Sequence, residues 1–251
     1  MWIIEEKTSK NKAETIKDNK KKEGRKRDLE NSIKAIIVAN GYIRDPSLTY
    51  KRMNGRFGFT RDDIVVCADG GASNALKMGL IPDVVIGDMD SIKFGVKEKI
   101  RGKSQKTRYI SASPQKDESD TQLAVEYALG LRGVKKIMIT GAVGGRIDHT
   151  LANIILLSSP ELEDIDIRIL TDNSDMFIVR KPVVVSGVPG KIITLLSLSP
   201  CTYFTGTRGL KYELKEEKLD FSPVRGLSNE FVGKKAKLDI REGTLLVIRE
   251  L

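Results

Sequence analysis

The chain has 251 residues, enough to bury a core without staples, and 40% of them are hydrophobic. Its two cysteines, Cys67 and Cys201, stand far apart with no CxxC spacing, which sets aside a zinc ribbon, a dithiol redox motif and a disulfide framework. A net charge of +9 raises the question of a nucleic-acid partner, but +3 of it falls in residues 1–32, where ten Lys/Arg face seven Asp/Glu, and the rest is dispersed.

The first segment, 1–32, centres on Lys20, Lys21, Lys22, Arg25, Lys26 and Arg27 and is expected to be a flexible polar leader, with an RNA-binding or membrane-surface arm as the alternative. Met1 to Ile4 are apolar but are followed at once by Glu5 and Glu6, too short and wrongly flanked for a signal peptide. No later apolar run is long enough to span a membrane, so a soluble, cytoplasmic protein is expected. Next come short apolar runs that predict buried strands at 34–39, 64–68, 83–86, 108–112 and 135–140. Helical patterns lie between them: 73–78, then 119–131 with Leu123, Ala124, Tyr127, Ala128 and Leu131 on one stripe, then a helix with Ile147, Leu151, Ile154 and Ile155 on another. Strands alternating with helices imply crossover connections and a mostly parallel, doubly wound α/β sheet. From about Asp166 the texture changes to strand-sized runs broken by Gly, Pro and Asn, at 167–170, 176–179, 191–198, 236–240 and 244–248. A smaller all-β domain of sandwich or barrel type is expected there, dividing the chain into 1–32, an α/β domain over 33–175 and a β domain over 176–251.

The acidic residues of the α/β segment recur just after predicted strands. Asp69 follows Val65-Val66-Cys67-Ala68, Asp88 and Asp90 follow Val84-Val85-Ile86-Gly87, Asp117 and Asp120 follow the strand ending at Ala112, and Asp148 follows Ile137-Met138-Ile139-Thr140 and a glycine loop. Ligands of an open parallel sheet bind beyond the carboxyl ends of its strands, so these loops are expected to converge on one crevice. Carboxylates sharing a small volume repel one another unless a cation neutralises them. With oxygen donors throughout and a single histidine, His149, the expected ion is magnesium, which keeps positions open for the phosphates of a nucleotide triphosphate. Two glycine turns, Asp69-Gly70-Gly71-Ala72 and Gly141-Ala142-Val143-Gly144-Gly145-Arg146, fit backbone amides close to an anion at a helix N-terminus, and Arg146 adds a fork of donors. Neither is a dinucleotide fingerprint, and Gly102-Lys103-Ser104 lacks the upstream glycine of a P-loop. Taken singly, each acid has an ordinary alternative as a turn closer or helix cap. His149 and Asn153 are expected to be supporting polar groups.

Four of these segments resemble the ordered motifs of the thiamine pyrophosphokinases: Ala68-Asp69-Gly70-Gly71-Ala72, Pro82 to Ser91, Lys116-Asp117-Glu118-Ser119-Asp120, and Gly141 to His149. Two more, Thr207-Arg208-Gly209-Leu210-Lys211-Tyr212 and Arg225-Gly226-Leu227-Ser228-Asn229-Glu230-Phe231, resemble the family's C-terminal signatures, so the likeness runs over roughly residues 35–250. The resemblance implies transfer of a pyrophosphoryl group from ATP to the hydroxyethyl arm of thiamine, releasing AMP. It implies that Asp88, Asp90, Asp120 and Asp148 are the catalytic acids facing magnesium and phosphate, and that Asp69, Gly70, Gly71, Arg146 and Ser119 contact the nucleotide. It assigns Ser228 and Asn229 to thiamine, and implies a homodimer in which the partner's β domain completes each site, with no obligatory nucleic acid and no membrane. Ser119 stands where the family usually has threonine, and the only tryptophan, Trp2, is in the leader, which leaves Phe231, Tyr212 and Tyr203 as aromatic candidates for stacking on thiamine. The rival expectations are a pyrophosphokinase of the same chemistry acting on a hydroxymethylpterin, and a non-catalytic nucleotide- or RNA-binding regulator.

Overall fold

Six parallel strands form the part of the molecule that carries the acidic loops. The structure, a computed structural model, describes residues 33–92, 95–113 and 117–251, so the leader at 1–32 and Lys116 of the third motif lie outside the described residues. The strands are β1 (Ile33–Val38), β2 (Ile64–Ala68), β3 (Val84–Gly87), β4 (Arg108–Ser111), β5 (Val134–Thr140) and β6 (Asp166–Leu170), in the spatial order β6-β5-β1-β2-β3-β4. Five helices connect them: α1 (Pro46–Phe57), α2 (Gly71–Lys77), α3 (Val96–Lys103), α4 (Asp120–Gly130) and α5 (Ile147–Leu156). The order reverses between β5 and β1, and a crevice opens at that switch point because the connections leave the two strands in opposite directions.

Strand alternation gives the sheet a core on each face. Ala35, Ile37, Val66 and Ile139 bury into one layer with Ala124 and Ala128 of α4, while Ile36, Val38, Val65 and Cys67 bury into the other with Met53 of α1 and Ala72 of α2. Two of the helices, α1 and α3, were not among the expected elements. Both are short of apolar residues, and α1 contains Asn54 and Gly55. Its ends nonetheless carry clear signals: Asp45 caps the first turn by accepting from Leu48 N at 2.9 Å, Pro46 occupies the first position, and Gly58 closes it at φ 69°.

The sheet does not stop at β6. β7 (Ser174–Val179) pairs antiparallel with β6, then β14 (Leu245–Glu250), β9 (Ile192–Ser197) and β12 (Asn229–Glu230) extend it to ten strands. A second, wholly antiparallel sheet of β11 (Lys218–Asp220), β10 (Cys201–Arg208), β13 (Lys235–Glu242) and β8 (Val183–Ser186) packs on this extension. Phe177, Ile193, Leu195 and Val247 of the first sheet meet Phe204, Phe231, Leu238 and Ile240 between them. The α/β class with a large, mostly parallel sheet and a second antiparallel sheet therefore stands. β7 runs through residue 175, where the sequence pattern divides the chain, so the two parts share one sheet.

The stripe of α5 faces the core only in part: Ile154 packs against it. Ile147, Leu151 and Ile155 are 84%, 56% and 53% exposed, and the one residue of the helix classed as buried is Asn153. Periodicity identifies an apolar face but not what covers it. No helix among the described residues is long and apolar enough to cross a membrane.

A buried ion network joins the parallel and antiparallel parts. Arg249 of β14 donates through Nε and Nη2 to Asp175 of β7 at 2.7 and 2.6 Å, and Arg168 of β6 reaches the same carboxylate at 3.0 Å. The ring of Phe177 lies 4.2 Å from the Arg168 guanidinium and 5.7 Å from that of Arg249. Asp175 has no exposed surface, so its charge depends on these partners. Arg249→Leu is expected to lower stability by about 3 kcal/mol, and Asp175→Leu/Arg249→Leu to recover most of that loss, as measured by chemical denaturation.

Candidate active site

The crevice at the switch point has a volume of about 390 Å³ and is lined from three directions. The segment after β1 contributes Asn40 and Tyr42, the turns after β2 and β3 contribute Asp69 and Ser91, Asp120 comes from the start of α4, and Gly144 and Arg146 from the loop that precedes α5.

The acids that meet do so through a chain of local requirements. Asp69 takes φ 43°, the left-handed region that aspartate tolerates better than most residues, as the chain turns from β2 into α2. Its backbone N–H is held by Ile86 O at 2.8 Å, and the residue is only 4% exposed. Oδ2 accepts from Ser91 N at 3.1 Å, while Oδ1 is buried with no hydrogen-bond partner. Burial pushes this carboxyl above its ordinary pKa, against the opposing pull of the Ser91 bonds. Next to it, Gly87 adopts φ 152°. A Cβ there would lie 2.7 Å from Asp69 Cβ and 3.3 Å from Asp120 Cγ, so the two carboxylates approach through space that only glycine leaves open. Asp120 begins α4, whose first turn Ser119 caps by accepting from Gln122 N at 3.2 Å. Asp88 completes the group: one carboxylate oxygen from each of Asp69, Asp88 and Asp120 lies within 4.8 Å of the others.

This trio overlaps the expected acid set without coinciding with it. Asp88 and Asp120 belong to both, whereas Asp69, assigned to the nucleotide by resemblance, joins them. Asp90 is exposed and accepts from Ser91 Oγ at 2.9 Å, and its N–H donates to Asp88 Oδ1 at 3.3 Å. Asp148 turns to Arg146 instead, accepting Nε at 3.1 Å and Nη2 at 2.5 Å. The Arg146 guanidinium holds the Asp148 carboxyl down at about 2, with the His149 amide assisting. Both side chains are well exposed at the crevice mouth, where Arg146 and His149 line the opening.

Glycine roles separate likewise. Gly70 leaves room for the Asn40 amide, whereas Gly71 packs against the Val38 carbonyl so closely that a side chain would collide with backbone. Two buried asparagines support the rim. Asn74 Nδ2 donates to Ala39 O at 3.1 Å and Gly41 O at 2.9 Å, and Asn153 Nδ2 donates to Ala142 O at 2.9 Å. Asn153 thus has the supporting role expected of it; Asn74, Asn40, Tyr42 and Ser91 were not singled out, because no spacing rule links them to the acids.

Ser228 and Asn229 are not at this crevice. They lie at β12, at the far edge of the sheet from β3 and β4. Ser228 has φ 55°, and its N–H donates to Thr194 Oγ1 at 3.2 Å. Asn229 pins the backbone of Tyr212, accepting from its N–H at 3.0 Å and donating to its carbonyl at 2.7 Å. Tyr212 is 61% exposed, whereas Phe231 is fully buried between the sheets and is removed from the stacking candidates.

Three hard oxygen donors in a small volume, one with an unpartnered buried oxygen, fit a divalent cation such as magnesium. Without one the trio is repulsive. Asp69→Asn, which keeps an acceptor for Ser91 N–H, is expected to raise the melting temperature of the metal-free protein at pH 7. Because the raised pKa lets native Asp69 take up a proton as pH falls, the gain should shrink toward pH 4, and thermal melts across that range test it.

Comparison with known proteins places these features in a family. Residues 58–169 match the thiamin pyrophosphokinase catalytic domain, and residues 180–245 match the thiamin pyrophosphokinase vitamin B1 binding domain. A thiamine pyrophosphokinase of Bacillus subtilis is 27% identical over 195 residues, covering 76% of this chain and 90% of the relative, and thiamine pyrophosphokinase 2 of Oryza sativa is 27% identical over 196 residues, covering 68% and 72%. The crystal structure of the Bacillus subtilis thiamine pyrophosphokinase superposes with a TM-score of 0.75 at 25% identity, over 86% of this chain and 98% of that one. The yeast thiamin pyrophosphokinase shares the fold at 20% identity, with a TM-score of 0.70 over 88% and 87%. With both of its domains matched in order along a continuous fold, the chain belongs to the thiamin pyrophosphokinase family.

Proposed function

We infer that the protein is a thiamine diphosphokinase, moving the pyrophosphoryl group of ATP to the hydroxyl of the thiamine side chain. The observation that carries this is the acid trio around Gly87, set beside glycine turns at the switch point of a sheet. In such a transfer the thiamine oxygen bonds to the β-phosphorus of ATP, the bond from that phosphorus to the α,β-bridging oxygen breaks, and AMP departs. The hydroxyl proton passes to a carboxylate.

Magnesium fits the site at Asp69, Asp88 and Asp120, with Asp90 and Asp148 flanking it; when bound it would supply charge neutralisation for the phosphates. The chain's own groups account for the rest. Arg146 at the mouth is positioned for phosphate oxygens, and Asp148 holds its fork in place. Ser119 orders the first turn of α4 and thereby fixes Asp120. Asp120, which lines the crevice, and the exposed Asp90, hydrogen-bonded to the Ser91 that lines it, are the proposed proton acceptors. Asn74 and Asn153 keep the glycine rim from collapsing into the crevice.

The proposed thiamine contacts, Ser228 and Asn229, are separated from β3 by eight strand steps of the same sheet, roughly 40 Å at ordinary strand spacing. One chain cannot bring both to one substrate. A homodimer in which the partner's β12 region faces the crevice resolves this. Two exposed apolar surfaces support association: Ile147, Leu151 and Ile155 on α5, and Tyr212, Leu227 and Val232 beside β12.

Incubation with ATP, magnesium and thiamine is expected to yield AMP and thiamine diphosphate in equal amounts; AMP formed only with a pterin alcohol would move the acceptor, and no turnover with either would overturn the assignment. Asp88→Asn, Asp90→Asn and Asp120→Asn are each expected to lower kcat at least 100-fold while the far-UV spectrum stays unchanged. Sedimentation should report a dimer. Mixing inactive Asp88→Asn with inactive Ser228→Lys should restore part of the activity, because heterodimers would carry one intact composite site; a mixture as inactive as its components would count against the shared site.

A further inference from the structure

A second concavity, of about 420 Å³, lies on the sheet face across β5, β6 and β7, between the end of α1 and strand β8. It shares no lining residue with the acidic crevice, from which Lys136 is separated by roughly 20 Å along and across the strands. Its character is opposite. Arg56, Lys136, Arg168 and Arg249 line it against one carboxylate, Asp166, and Asp175 lies buried behind.

Two of these cations are already matched. Arg168 pairs with Asp166 at 2.9 Å and with Asp175, and Arg249 is spent on Asp175 and the Ser186 carbonyl. Arg56 and Lys136 make no side-chain hydrogen bond or ion pair among the described residues. The end of a helix favours a cation, which accounts for Arg56 alone but not for four converging on one hollow. Desolvation and the nearby Arg249 guanidinium hold the Arg56 pKa below its ordinary value; Asp175 pulls the other way, and Arg168 and Arg52 add to the depression. Like charges gathered at a partly buried concavity are destabilising without a counterion.

We propose that this groove is a binding site for a small phosphorylated anion, separate from the acidic crevice. Guanidinium forks suit tetrahedral oxyanions, and the volume is that of a small-molecule site rather than a flat surface for a polymer. Phe57, Phe177 and the β8 segment 183–186 give the hollow apolar walls, which leaves room for an organic body beside the phosphate. Fixed arginines supply the floor: Arg168 and Arg249 are held by buried carboxylate bonds and by the Phe177 ring, so they need little reordering on binding.

Titration calorimetry with inorganic pyrophosphate, on the full chain in chelator-treated buffer, tests this without the metal that would draw the anion to the acids. One saturable site per chain is expected. Arg56→Ala/Lys136→Ala, which removes two unpaired side chains and should melt no lower than the wild type, is expected to weaken binding at least tenfold, while Arg146→Ala at the acidic crevice leaves it unchanged. Absence of saturable binding, affinity undiminished in Arg56→Ala/Lys136→Ala, or affinity lost in Arg146→Ala would each overturn the proposal. The outcome is independent of which alcohol the active site accepts.

Discussion

Carboxylates repel, yet this fold brings three of them to within 4.8 Å, and the approach depends on one residue having no side chain. Gly87 ends β3 at φ 152°, and the space where its Cβ would be is filled by Asp69 and Asp120. Asp69 in turn occupies a left-handed conformation, with one buried carboxylate oxygen left without a partner. Conformational strain and unmet electrostatics at one place are costs that a binding function explains and a structural one does not. The rest of the α/β layer serves to hold these loops: strand alternation anchors β1, β2 and β3 in two cores, and Asn74 and Asn153 tie down the carbonyls of the opposing rim.

The ten-stranded sheet also sets the distance between the acidic crevice and the proposed thiamine contacts. A single sheet gives rigid spacing, and the buried Asp175 network makes the junction of parallel and antiparallel strands one of its firmest points. That rigidity keeps the Ser228-Asn229 turn far from the acids of its own chain. The proposed homodimer would unite them, and the exposed apolar residues of α5 are consistent with it.

Charge is segregated rather than averaged. The net +9 coexists with an acidic cluster at the strand ends and a cationic hollow on the sheet face, each of them half-buried and therefore weakly screened. An acidic crevice that requires a cation and a basic groove that requires an anion are distinct demands on solution partners, made by two places in one scaffold.

Much of this was legible in the sequence. The apolar runs marked the first six strands within a residue or so, because buried parallel strands must be continuously hydrophobic, and the acids fell after them because strand ends are where loops can carry polar groups. The motif order identified the family. Helices α1 and α3 were less visible, since their polar surfaces weaken periodicity and only the Asp45-Pro46 start and Gly58 stop betray α1. What the sequence by itself determined was therefore the class of fold and the pool of acids. Which acids meet was decided by tertiary structure: Asp69 joins Asp88 and Asp120 through the gap at Gly87, while Asp148 is drawn off by Arg146 two residues away, and such distances depend on how loops from separate strands close together. The same holds for Phe231, buried where it was expected to be available, and for the arginines of β6 and β14, which share a carboxylate only because strands distant in sequence are brought side by side.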